Sequence, residues 1–88
     1  MTYKLFFTEQ GLKEWKKLDN SVASLFKKKL IEVLENPHIP KNRLSGYTGY
    51  RYKIKLKSIG FRLLYEVIDD QVIVKVISVN RRDSIYKR

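Results

Sequence analysis

Lys53, Lys55 and Arg62, with Arg82 and Tyr86 near the end of the chain, are the residues whose types and spacing could do chemistry together. The chemistry they suit is transfer at a phosphodiester. RNA can be cleaved without metal or water when a 2′-hydroxyl attacks the adjacent phosphate in line and the 5′-oxygen leaves. That step requires positive charge around the phosphate, a proton acceptor, a proton donor and a device that splays the bases. Arginine stays protonated and clamps phosphate through its planar fork of donors. Cations crowded together disfavour one another's charged form, which fits a lysine in such company for proton transfer. Tyr86 offers a ring to stack on a base, or a weak proton acceptor. Each residue also has an ordinary explanation. Lysines alternating along a strand commonly make a solvated face, a basic tail aids solubility, and a terminal tyrosine usually docks onto the body.

The missing residue types narrow the chemistry further. There is no cysteine, hence no disulfide framework and no thiolate metal site. The single histidine, His38, excludes a multi-histidine metal centre and a histidine acid–base pair. It lies in a proline-flanked loop and reads as an ordinary loop residue. No clustered carboxylates suggest a two-metal nuclease. Neither metal nor cofactor is expected. A site so equipped is a poor ribonuclease alone, so the substrate should be aligned by something else.

Whether the cations meet depends on the elements that carry them. From residue 50 the apolar period is two: Tyr50, Tyr52, Ile54 and Leu56 alternate with Arg51, Lys53, Lys55 and Lys57. This describes a strand with one buried face and one basic face. Ser58-Ile59-Gly60 turns the chain into Phe61–Ile68, nearly all apolar, as in a central strand covered on both sides. A two- or four-residue loop pairs odd with even positions and sets Arg62 beside Lys55 or Lys57; a three-residue loop sends it to the opposite face. An even loop is expected, because burying an unpaired guanidinium costs several kcal/mol.

The rest of the chain reads as support. Thr2–Phe7 is a short strand, and Thr8 an N-cap followed by Glu9 at the positive end of a helix. Leu12, Trp15 and Leu18 mark that helix, expected to end near Asp19-Asn20. Ser21 can cap a second helix, whose apolar positions are Val22, Leu25, Phe26, Leu30, Val33 and Leu34. Asn36-Pro37 stops it. The pair forms an antiparallel hairpin, in which Trp15 and Phe26 are core residues. Lys27, Lys28 and Lys29 run around the second helix; a solvated face is the usual outcome, with attraction to an RNA backbone the alternative. A loop spans Pro37–Gly49. Asp69-Asp70 makes a tight turn. Val72–Val79 is a β-branched strand, and Asn80–Arg88 a polar basic tail able to bring Arg81 and Arg82 over the basic face. The order β-α-α-β-β-β implies an α+β fold, with helices on one face of a mainly antiparallel four-stranded sheet.

At 88 residues the chain has room for one domain, 1–88, with a modest core. Nineteen Lys and Arg against nine Asp and Glu give +10. The excess is lopsided: residues 1–40 carry seven basic and five acidic groups, residues 41–88 twelve and four. Such a field attracts a polyanion, with nucleic acid the first candidate and an acidic protein or mere solvation the others. The N-terminal MTYKLFF is too short for a signal-peptide core, and no apolar run approaches the ~18 residues of a membrane span. A soluble, cytoplasmic protein without membrane contact is expected.

Tyr52-Lys53-Ile54-Lys55-Leu56 followed by Gly60-Phe61-Arg62-Leu63-Leu64-Tyr65 resembles the RelE toxins of bacterial toxin–antitoxin pairs. The likeness extends to Leu12-Lys13-Glu14-Trp15-Lys16-Lys17-Leu18, Lys27-Lys28-Lys29-Leu30 and Val76-Ile77-Ser78-Val79, almost the whole chain. It implies the RelE-like, microbial-RNase-like fold and an active site of Lys53, Lys55, Arg62, Arg82 and Tyr86. The lysines and first arginine would surround the scissile phosphate, Arg82 would support the transition state, and Tyr86 would stack on or activate the nucleotide. Which group is base and which acid stays open. Only Asp83-Ser84-Ile85 separates Arg82 from Tyr86, fewer residues than in similar toxins. Arg51, Lys57, Arg81 and Lys27–Lys29 would add contacts to RNA or the ribosome. The resemblance further implies cleavage of mRNA in the A site of the 30S subunit and neutralisation by an acidic, RelB-like antitoxin, through which alone operator DNA would be reached. ParE-like toxins share the architecture but act on DNA gyrase and lack this Lys, Arg and Tyr set. A third reading is a non-catalytic RNA- or ribosome-binding module.

Overall fold

The computed structural model describes residues 2–46 and 48–81. The elements run β1 (Lys4–Phe7), α1 (Glu9–Lys16), α2 (Asn20–Glu35), a 3-10 turn (Pro40–Asn42), β2 (Tyr50–Leu56), β3 (Phe61–Ile68), a second 3-10 turn (Asp69–Gln71) and β4 (Ile73–Arg81). The strands form one sheet in the order β1-β4-β3-β2. β2, β3 and β4 are antiparallel in sequence, whereas β1 joins β4 in parallel. The sheet is therefore mixed at one edge.

Local chemistry explains most element boundaries. The Thr8 side chain accepts from Gly11 N–H at 2.9 Å, the expected cap of α1. That helix stops at Lys16, earlier than its apolar spacing suggests, because Lys17 N–H turns back to the carbonyls of Glu14 and Trp15. The N-cap position of α2 belongs to Asp19 in place of Ser21, and its side chain makes no capping bond. Val22, Phe26, Leu30 and Val33 form the buried stripe of α2. They pack on Tyr52, Ile54, Leu63, Tyr65, Val74 and Val76 from the sheet. Phe26, Leu63, Tyr65, Val74 and Val76 are fully buried, each contributing on the order of 1.5–3 kcal/mol. Phe7, Trp15 and Phe26 form a tilted aromatic run that seats α1.

β3 departs from the expectation of burial on both sides. Leu63, Tyr65 and Val67 face the helices and are buried, while Arg62, Leu64, Glu66 and Ile68 are only half-buried on the other face. Its apolar run suits a central position in a sheet open on one side. Two further differences lie along β4. Val72, expected in the strand, adopts a left-handed conformation (φ 57) and closes the turn with its N–H on Asp69 O. Asn80 and Arg81, expected in the tail, are strand residues.

The β3–β4 register slips between Leu64 and Tyr65: Leu64 pairs Ser78, but Tyr65 pairs Val76, leaving Ile77 as an extra residue. α1 stitches this bulge. Thr8 Oγ1 donates to the carbonyl region of Val76 and Ile77 (3.3 and 3.1 Å), and Glu14 Oε1 accepts from Val79 N–H at 2.7 Å. A Cβ on Gly11 would collide with the Val76 carbonyl, so this close approach requires glycine. The bulge matters because it sets the phase of everything beyond it on β4.

Candidate active site

The β2–β3 connection is the four-residue Lys57-Ser58-Ile59-Gly60, with Gly60 at φ 70 where a side chain would be strained. This even loop pairs Lys55 with Arg62 and Lys53 with Leu64. Alternation then puts Arg51, Lys53 and Lys55 of β2 on the same open face as Arg62 of β3. Arg62 is flanked across β4 by Asn80. Lys55 is exposed, while Lys53 and Arg62 are half-buried, their stems lying along the sheet. The sheet thus gathers three cations within two rungs of one another on one face, with an amide beside them.

One carboxylate shares the described part of this face. Glu66 stands between Arg51 and Lys75 in the register and reaches Arg51 at 3.9 Å. Its charge is spent in that row, two rungs from Lys53 and four from Lys55. Lys53, Lys55 and Arg62 stand together farther along the same face. Lys57 follows in the exposed hairpin loop at the same end.

The other sequence candidates fall elsewhere. Lys27, Lys28 and Lys29 are exposed on α2, in the helix layer. They diverge as consecutive helical residues must: Lys27 borders an apolar hollow with Leu5, Phe7 and Ile31, whereas Lys29 borders a groove with Lys55 and Lys57. Arg81 pairs with Phe61 and holds its guanidinium carbon 5.7 Å from that ring. It borders a hollow with Val22 and Ile59, on the helix side of the sheet end. Arg82 and Tyr86 lie outside the described residues. Among the described residues no group of three or more His, Asp or Glu side chains is placed to hold a metal ion.

Asn80 and Glu66 carried no signal in the sequence, because both act through strand register. His38 is a second surprise. Asp69 accepts from its Nε2 at 2.8 Å and from Tyr3 Oη at 2.7 Å, while Nδ1 meets Tyr52 Oη at 2.6 Å. Asp69 is an acceptor, so the neutral ring carries its proton on Nε2 and Tyr52 donates to Nδ1. The hydrogen bond from His38, then that from Tyr3, hold the Asp69 carboxyl below the usual carboxylate range. Burial raises the Tyr52 phenol, and Tyr65, which donates to Pro37 O at 2.9 Å, is raised further by burial. Tyr52 is the third residue of β2 and Asp69 follows β3, so this network ties the loop before β2 to the end of the sheet away from Lys55 and Arg62. It is structural.

Residues 5–86 match a family model described as the ParE toxin of the type II toxin–antitoxin system parDE. The fold and this match define a toxin of such a system. The chain is 54% identical over 83 residues to the mRNA interferase toxin RelE of Escherichia coli, covering 94% of this chain and 86% of the relative. Its structure superposes on the isolated E. coli RelE toxin with a TM-score of 0.86 at 54% identity, covering 90% of this chain and 83% of that one. It superposes on the intact E. coli RelBE toxin–antitoxin complex with a TM-score of 0.85 at the same identity, covering 90% and 95%. The chain belongs to the RelE/ParE superfamily of toxins, and its strong sequence likeness is to the RelE side.

Proposed function

We propose that this chain, acting as one domain over 1–88, is the toxin of a type II toxin–antitoxin pair and an endoribonuclease that cuts mRNA in the ribosomal A site. The observation that carries the reading is Lys55 paired directly with Arg62 beside Lys53 on one open sheet face. The likeness to an mRNA interferase toxin supports it. In the proposed step the 2′-oxygen attacks phosphorus as its proton passes to a base. The bond to the 5′-oxygen breaks, and that oxygen takes a proton from an acid. A 2′,3′-cyclic phosphate and a 5′-hydroxyl remain.

Arg62 presents two parallel donors to the phosphate oxygens, and the lysines add charge where the phosphorane develops it. Lys53 and Lys55 are the described groups suited to moving a proton. Arg82, outside the described residues, is assigned transition-state support. Tyr86 is assigned stacking on the reacting nucleotide. Arg51 and Lys57 extend the field along β2. The ribosome supplies the alignment that a site without a histidine pair lacks.

The partner that silences this face is proposed to be an acidic, RelB-like antitoxin, complementary to the charge of +10. Binding of a RelB-type chain is named for the relative whose complex this structure superposes on. Among the described residues no helix is long and apolar enough to cross a membrane, and the proposed place of action is the cytoplasm, with operator DNA reached only through the antitoxin.

The test is a reconstituted one. Ribosomes programmed with a defined message are incubated with the protein, and primer extension reads the ends. Cuts within the A-site codon are expected, suppressed by the antitoxin. Intact message together with arrested gyrase supercoiling overturns the reading in favour of the ParE-like activity. Ribosome binding without cuts leaves only a binding module.

A further inference from the structure

A groove of about 550 Å³ runs between α2, the Pro40–Asn42 turn and the edge of β2. Lys29, Lys41, Lys55 and Lys57 line it with Asn42, over a floor that includes Ile54. Among the described lining residues, Glu32 is the one acidic group against four lysines. Lys29, Lys41 and Asn42 are not needed to surround a phosphate at Arg62. The groove nevertheless shares Lys55 with that cluster, since Lys55 both pairs with Arg62 and borders the groove. A strand of RNA whose reacting phosphate lies between Lys55 and Arg62 must continue somewhere, and the cationic path leads around the β2 edge.

We propose that this groove is a second RNA phosphodiester site, in which Lys29 and Lys41 bind backbone phosphate beside the strand held at Lys55 and Arg62. The inference rests on the nuclease reading and extends it to the path of the RNA. Three features favour RNA over an acidic peptide strand. β2 is an edge strand, and lysines on an edge discourage addition of another β-strand. The charge is carried by flexible ammonium groups spread along the groove, which suits a chain of evenly spaced phosphates. The groove is also continuous with the proposed phosphate cluster. Lys29 and Lys41 are exposed, so they can release counterions on binding.

The experiment compares Lys29→Gln/Lys41→Gln with the parent in two settings. In the first, both carry Arg62→Ala to slow cleavage, and binding of a short single-stranded RNA is titrated against salt. Binding is expected to weaken about tenfold, with the slope of log K against log salt shallower by about 1.4, at ~0.7 per single-strand phosphate contact. In the second, with Arg62 intact, cleavage on programmed ribosomes is expected to show KM raised about tenfold and kcat within about twofold. A message truncated just past the A-site codon identifies the source. If the KM effect vanishes, the groove holds mRNA; if it persists, it holds ribosomal RNA; either supports the site. Unchanged salt slope and unchanged KM overturn the proposal, and a fall only in affinity for an acidic antitoxin peptide overturns it in favour of that partner. Should the parent cut no message at all, the nuclease reading fails while the oligonucleotide titration still decides the groove.

Discussion

Arg62 stands on the open face of β3 between Lys55 and Asn80, so alanine there removes a cation without opening a cavity among the buried residues. A guanidinium that grips phosphate makes two charge-assisted bonds, each on the order of 1.5–3 kcal/mol. Counting only part of that as strengthening in the transition state gives about 3–4 kcal/mol. At ~1.36 kcal/mol per decade, kcat for Arg62→Ala should fall by about 10²–10³. Stability should change by no more than about 0.5 kcal/mol, because the position lies outside the core and relief of repulsion from Lys55 offsets lost packing. Arg62→Lys keeps the charge but loses the fork, and should recover no more than about tenfold. The assay is single-turnover cleavage at saturating programmed ribosomes, with thermal unfolding of each variant followed by circular dichroism. A drop in kcat of less than about fivefold (~1 kcal/mol) with Tm intact refutes a phosphate clamp at Arg62. A loss wholly in KM refutes it too, and makes Arg62 an ordinary binding contact.

Other expectations concern the frame. Tyr65→Phe leaves the buried Pro37 carbonyl without its 2.9 Å donor and should lower Tm by roughly 5–15 °C for ~1–2 kcal/mol, while cleavage at a permissive temperature is preserved; an unchanged Tm refutes it. The same phenol's value is raised from 10.0 by burial, so its contribution is complete below pH 10 and is lost as pH climbs through the folded value. The alkaline fall in stability should accordingly be shallower in Tyr65→Phe than in the parent. Asp69 titrates the other way: its lowered value gives stability that is present above the unfolded carboxylate range near ~4 and lost as pH falls through the folded value. Urea midpoints of the parent and Asp69→Asn should therefore differ at neutral pH and converge in acid, and parallel curves would contradict this. Gly11→Ala should destabilise by ~1–3 kcal/mol despite alanine's better helix propensity, because its Cβ meets the Val76 carbonyl; a rise in Tm counts against the close packing of α1 on β4.

The cationic face was legible along the chain because strand alternation is a local steric rule: once residues 50–57 are extended, Arg51, Lys53 and Lys55 must share a side. The parity of a short loop then places Arg62, and Lys55 does pair with it. The α2 stripe and the Thr8 cap were readable for the same reason, since each depends on neighbours within a few residues. Contacts between distant residues were not. The bulge at Ile77 turns Arg81 against Phe61 and Asn80 toward Arg62. It is held by Thr8 and Glu14, more than sixty residues away. The parallel docking of β1, the left-handed Val72 and the Tyr3–Asp69–His38–Tyr52 chain arise likewise from segments far apart in sequence. So does the lysine groove, where α2, the Pro40–Asn42 turn and the β2 edge meet. Periodicity specifies which face a side chain takes; only the packed fold decides which faces meet, because that choice minimises buried polar groups and voids over the whole body.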